Sequence, residues 1–267
     1  MLWVVVVLIL LFLVMPVLII IPMSFSSSRY LEFPPPGFST QWYQAFFGDA
    51  QWVNSLKISV ELAVITTVLS LILGVLAAEG LTKTEFKGKN MLIEMFMMPM
   101  LVPGIIVGMA IYRFEAGISL SGTFSGLVIA HTLMAVPFVI RTALASMAGL
   151  NPNFELASRS LGANSFVTFM RVTVPMLKSA LFSGAMFAFA TSFDEIIVTQ
   201  FLCGVKISTL PKRIWDGLNQ QLNPTITAIA AIVIILISLA MVLSNAKTLF
   251  GREPKYNMQE ELAIEDD

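Results

Sequence analysis

The chain has 267 residues, 57% hydrophobic and 12% charged, with a formal net charge of −1 and a mean hydropathy of +0.83. An ordinary soluble domain carries about 25% charged residues, so this composition excludes a cytosolic globular protein, general disorder and a basic nucleic-acid-binding surface. One cysteine, Cys203, and one histidine, His131, exclude an intrachain disulfide and any metal site built from paired histidines or clustered cysteines.

A helix needs about 20 apolar residues to cross a bilayer. Six runs reach that length, at Leu2–Met23, Ser55–Leu81, Met91–Tyr112, Phe124–Met147, Met176–Gly204 and Thr225–Phe250. None alternates polar with apolar residues as barrel strands do, so the expected fold class is an all-α membrane protein of six transmembrane helices. The first run lacks a basic leader and a small-residue cleavage site and is read as a retained helix. After it, Pro34-Pro35-Pro36-Gly37 predicts a stiff, extended segment. Trp42 and Tyr43 then suit a membrane interface.

The second run carries Ser59, Ala63, Thr66, Thr67, Ser70 and Gly74 at helical spacing, a small face for close helix contact. In the third, Pro99, Pro103, Gly104 and Gly108 predict either a kink or a broken helix bordering a transport path. His131, in the fourth run, reads as a packed hydrogen-bonding group. Glu61 and Glu94, nearer span ends, read as structural.

Between the fourth and fifth runs, Asn151–Pro175 is too polar to cross. Its pattern predicts a helix–turn–helix with Gly162 at the break, able to dock in a groove of a partner or to rest on lipid. The fifth run contains two adjacent acids inside an apolar stretch, Asp194 and Glu195. On one continuous helix Thr191, Glu195 and Thr199 form a polar stripe with Asp194 turned about 100° away. An intramembrane charge is costly, which points to a path or a structural pairing. The candidate path residues are Trp42, Ser192, Asp194, Glu195 and Thr199. The tail, residues 251–267, is polar and acidic and is read as a solvated end to a transmembrane domain of residues 1–250.

With the N-terminus inside, Lys83, Lys87, Lys89, Arg141, Arg159, Arg171, Lys178, Lys247, Arg252 and Lys255 face the cytoplasm. Arg29, Lys57, Arg113, Lys206, Lys212 and Arg213 lie outside. The bias predicts that both termini are cytoplasmic.

Leu156-Ala157-Ser158, then Gly162, then Val172-x-Val174-Pro175 resembles the EAA loop of binding-protein-dependent ABC transporter permeases, the MetI-like type I importers. The glutamate position of that pattern falls on Leu156, with Glu155 one residue earlier. Phe38-Ser39-Thr40-Gln41-Trp42-Tyr43, Asn54-Ser55-Leu56, Ser192-Phe193-Asp194-Glu195-Ile196-Ile197-Val198, Thr209-Leu210-Pro211 and Asn223-Pro224 resemble the second permease of spermidine/putrescine-type systems. An acid that follows the third-span proline in those permeases is replaced here by Gly104.

The resemblance implies a non-catalytic transport subunit in the bacterial inner membrane, moving a polyamine or related amine by alternating access. It implies a second permease subunit, two ATPase subunits and an extracytoplasmic solute-binding protein as partners. It also implies that Glu155, Leu156, Ala157, Arg159, Gly162 and Pro175 couple to the ATPases. No cofactor is expected on this chain. It has no Gly-x-x-x-x-Gly-Lys-Ser/Thr loop, so ATP-Mg belongs on the ATPase subunits. Two alternatives are a permease for another small solute, such as an amino-acid derivative or a phosphonate-like compound, and an ion-coupled secondary transporter using Asp194 and Glu195.

Overall fold

The computed structural model describes residues 2–204, 207–220 and 224–250. Lys206, Asn223, Arg252, Lys255 and the predicted solvated tail lie outside the described residues. Two compact units are present, Met1–Phe46 with Leu222–Asp267, and Phe47–Gln221.

In the first unit, α1 (Leu2–Ser24) packs against α13 (Thr225–Phe250), both apolar runs without a charged residue in their first turns. Between α1 and α2 (Gln41–Gly48) the chain is not extended as Pro34–Pro36 suggested. It folds back, because its backbone donors find partners in the loop itself: Ser27 N–H bonds to the Gly37 carbonyl at 2.9 Å and Ser39 N–H to that of Phe25 at 2.6 Å. The Trp42 indole closes the loop by donating to the Ser26 carbonyl at 2.8 Å, and Tyr43 shares a 2.7 Å hydrogen bond with Ser24.

The second unit is built on α3 (Ala50–Lys83), α6 (Phe124–Met147) and α10 (Lys178–Phe193), which pack pairwise. Asp49 accepts from Gln51 N–H and starts α3. The small face of α3 is buried as helix contact: Ser59, Ala63, Thr66, Ser70 and Gly74 are all enclosed. A Cβ on Gly74 would stand 2.7 Å from Val139 of α6, so only glycine permits that approach. One apolar cluster joins Val75, Ala78, Val139, Ala143 and Ala188; another joins Leu62, Leu127, Ala130, Val198 and Leu202.

Among the described residues α1, α3 and α6 are each long and apolar enough to span a bilayer. The third predicted span is two helices, α4 (Lys89–Leu101) and α5 (Gly104–Gly117), bent by 102°. Val102 is extended because Pro103 follows it, and Pro103 opens α5.

The fifth predicted span also departs from one continuous helix. After α7 (Asn153–Ser160) and α8 (Ser165–Thr168), a π-helical turn at Phe169–Thr173 and α9 (Val174–Met176) lead to a 76° bend before α10. Pro175 therefore lies in the turn before the bend, and the span starts at Lys178. At its far end α10 stops at Phe193 and α11 (Ile197–Leu202) begins after a break. The amphipathic α12 (Leu210–Gln220) precedes α13.

Candidate functional site: a docking hairpin and a broken helix

The hairpin of α7 and α8 grows from local signals. Asn151 Oδ1 accepts from Asn153 N–H at 3.0 Å as α7 begins, with Glu155 in its first turn and Arg159 in its last, each matched to the helix dipole. Gly162 then adopts a φ of +87°, a left-handed conformation glycine takes without penalty. Asn164 caps α8 through Val167 N–H at 2.8 Å.

The two faces of α7 differ. Leu156 is 59% exposed and Phe154 54%, and beyond the helix Leu161 reaches 90% and Phe166 71%, an apolar surface unusual for a loop. Ala157, Arg159 and Gly162 are exposed beside them, and Pro175 is exposed in the turn before the bend. The other face is bonded inward. Glu155 Oε2 pairs with Lys83 Nζ of α3 at 2.9 Å, and its Oε1 accepts from the Thr173 hydroxyl at 2.8 Å. Lys83 also pairs with Glu79 one turn earlier. Ser158 and Thr168 share a 3.1 Å hydrogen bond. Burial raises the Glu155 carboxyl, but hydrogen bonds from Lys83 and Thr173, with the charges of Lys83 and Arg159, outweigh it and hold the group below the usual carboxylate value. A cleft of about 220 Å³ lies along this seam, lined by Glu79, Lys83, Phe154, Glu155, Thr173 and others.

The second feature is the break between α10 and α11. Asp194 closes α10 through its N–H to the Ala190 carbonyl at 3.0 Å, and its side chain is exposed with no salt bridge among the described residues. Glu195 behaves differently: its Oε1 accepts from Val198 N–H at 2.9 Å in the first turn of α11. The continuous stripe Thr191–Glu195–Thr199 is therefore interrupted.

His131 of α6 holds both sides of this break. Its Nδ1 lies 2.9 Å from Ser192 Oγ on α10 and its Nε2 3.0 Å from Thr199 Oγ1 on α11. The Thr199 hydroxyl donates to the Glu195 carbonyl at 2.9 Å, so Nε2–H donates to Thr199 and Nδ1 accepts from Ser192. All three side chains are buried. Ser192 and Thr199, expected along a path, are here enclosed around the histidine, and Asp194 is the group left open. Trp42 belongs to the other unit, where it serves the loop described above.

On one side of the break, α11 ties through α12 to the far end of α3. Gln200 of α11 donates to Asp216 of α12 at 3.1 Å, and Lys212 pairs with the same carboxylate at 2.6 Å. Burial raises Asp216, but Lys212 and Gln200 more than offset it, leaving the carboxyl below its ordinary value. Leu210 N–H donates to Ser59 Oγ at 2.7 Å, and the Arg213 guanidinium lies 4.9 Å from the Trp52 ring centre.

Three residues escape sequence reasoning. Lys83 appears there only as a topology charge and Glu79 is not singled out, because their partner Glu155 is remote in the chain. Glu115, in the last turn of α5, is 1% exposed and its carboxylate oxygens have no hydrogen-bond partner among the described residues; it lies against Gly126, where a Cβ would stand 2.6 Å from its Oε2.

The chain is similar to several known proteins. The family described as the binding-protein-dependent transport system inner membrane component matches residues 70–253. The spermidine/putrescine transport system permease protein PotC of Haemophilus influenzae is 28% identical over 237 residues, covering 89% of this chain and 92% of that protein. The putrescine transport system permease protein PotI of Escherichia coli is 27% identical over 230 residues, covering 84% and 82%. A chain from the crystal structure of a bacterial ABC transporter involved in the import of the acidic polysaccharide alginate superimposes with a TM-score of 0.72 at 19% identity, covering 92% of this chain and 94% of that one.

Proposed function

The chain belongs to the family of binding-protein-dependent transport system inner membrane components, and on that footing we propose that it pairs with a second, different permease to import a polyamine or related small amine. The observation that carries the solute class is the α10–α11 break. The C-terminal carbonyls of α10 carry a partial negative charge of about half an electron, and the open Asp194 carboxylate adds a full one at the same place. Glu195 is occupied by the Val198 N–H. A site of this kind favours an ammonium and disfavours an anion, which agrees with the PotC and PotI relatives and opposes a phosphonate-like solute.

The remaining parts follow from the hairpin. The apolar surface of Phe154, Leu156, Leu161 and Phe166 fits a groove on an ATPase subunit, while the inward face of α7 anchors the hairpin to the permease. With both termini cytoplasmic, this hairpin faces the ATPases and α12 faces a solute-binding protein. ATP-Mg binds the ATPase subunits. Their closure moves the hairpin, and the break opens alternately to each side; this requires that nucleotide and loaded binding protein each prefer one state.

Vesicles carrying the complete transporter test the reading. Spermidine or putrescine uptake should require ATP, survive an uncoupler, and fall at least tenfold in Asp194→Asn with an unchanged amount of complex. Uptake abolished by the uncoupler but not by ATP depletion would point to the ion-coupled alternative. Normal uptake by Asp194→Asn would remove the acid from the path.

A further inference from the structure

The inward face of α7 differs chemically from its outward face. Three charged side chains meet where the hairpin touches the end of α3: Glu79 and Lys83 on α3, and Glu155 on α7. Lys83 sits between the two carboxylates, and Thr173, on the π-helical turn that leads to α10, donates to the second oxygen of Glu155. All three charges are largely withdrawn from solvent, with 17–32% of each side chain exposed. Glu155 thus bonds at once to α3 and to the turn entering α10, and among the described side chains of α7 it alone has a recorded bond to α3.

We propose that the Lys83–Glu155 pair is the latch through which the docking hairpin moves α3, making both residues positioning residues for coupling and not ATPase contacts. This inference rests on the reading of α7 as the ATPase-docking element. The mechanical argument is short. The apolar surface of α7 receives the push, but dispersion contacts slide at little cost, whereas the charge-assisted Lys83–Glu155 bond, with the second Glu155 oxygen held by Thr173, resists being pulled apart. α3 is one uninterrupted helix from Ala50 to Lys83, and a rigid helix carries a displacement of one end to the other. At that other end Ser59 and the Trp52–Arg213 contact join it to α12. Cutting the latch therefore leaves the hairpin folded, since Ser158–Thr168 and the Asn164 cap remain, but removes its grip on α3.

The experiment uses the complete transporter in vesicles and the binding protein as isolated with its own solute. The readout is the stimulation of ATP hydrolysis by that binding protein, which does not depend on knowing the solute. In Lys83→Glu, which sets three carboxylates together, the ATPase subunits should still co-purify and basal hydrolysis should stay within twofold. Stimulation should drop at least fivefold. The exchange Lys83→Glu with Glu155→Lys restores one cation between two carboxylates and should recover at least half of the stimulation. Wild-type stimulation in Lys83→Glu overturns the latch, as does an exchange variant no better than the single one. Loss of the ATPase subunits from Lys83→Glu also overturns it, because the pair would then shape the docking surface alone. If Lys83→Glu does not accumulate in the membrane, Lys83→Met is read by the same criteria. A wild-type complex with no stimulation refutes the docking reading itself, a result distinct from all of these.

Discussion

At Gly162 the backbone, and not the space around it, makes the demand. Its φ is +87° and a Cβ there meets nothing within 4 Å. Gly162→Ala should therefore lower stability by about 1–2 kcal/mol, the cost of a left-handed L-residue, and Gly162→Asn by less; thermal unfolding in detergent separates them. Gly162→Pro cannot adopt the angle at all and should abolish stimulated ATP hydrolysis with insertion intact. His131 makes the opposite kind of demand. Its ring satisfies two buried hydroxyls, so His131→Ala leaves Ser192 and Thr199 short of partners and should cost about 2–4 kcal/mol, seen as a lowered Tm. Asp194→Asn, exposed and outside the salt bridges among the described residues, should leave Tm unchanged while reducing amine uptake. Glu195→Gln should lose about 1 kcal/mol through a weaker hydrogen bond to the first turn of α11.

Between elements, close approach decides tolerance. Gly108 of α5 faces Phe201 and the backbone of Val198 on α11, where a Cβ would stand at 2.7 and 3.3 Å. Gly108→Leu should therefore cost about 1–3 kcal/mol by overpacking and reduce the yield of folded complex. Gly104 is different: its Cβ position meets Ile197 at ordinary distances of 3.5–3.7 Å, so a Cβ there is sterically admissible. The joint of α7 with α3 has a pH signature. Because the Glu155 carboxyl is held below its ordinary value, its contribution is complete above the unfolded pKa of about 4.5 and disappears as pH falls through the folded value. Melting curves between pH 6 and 8 should be flat with respect to this group. The acid-side decline should be smaller in Glu155→Gln.

The breaks show what a sequence can announce. The one at Val102 was legible because Pro103 imposes it locally. The one after Phe193 has no proline or glycine near it; its two sides are bridged by His131, which lies 61 positions from Ser192 and 68 from Thr199, so no local pattern records it. The same holds for Glu155 and Lys83. The spans and the hairpin were legible because apolar length and the Gly162 turn are local properties; the separate duties of Asp194 and Glu195 arise only once the helix has broken after Phe193.

At the scale of the whole molecule, the charge asymmetry predicts that reporter fusions to both termini report a cytoplasmic location. Unit by unit, the helices conform to a membrane permease, and the alginate transporter chain shares the fold at a TM-score of 0.72. One dimension of α3 reaches beyond the protein. Its charged turns, Lys57 with Glu61 and Glu79 with Lys83, bracket an apolar stretch of about 27 Å at 1.5 Å per residue. That is slightly shorter than the hydrocarbon layer of an average bilayer, about 30 Å. A thicker lipid layer must either thin around α3 or draw the Glu79–Lys83 turn into acyl chains. Acyl-chain length thus becomes a variable of the transporter. Reconstitution in lipids from 14 to 22 carbons should show ATP hydrolysis least coupled to uptake in the thickest membranes.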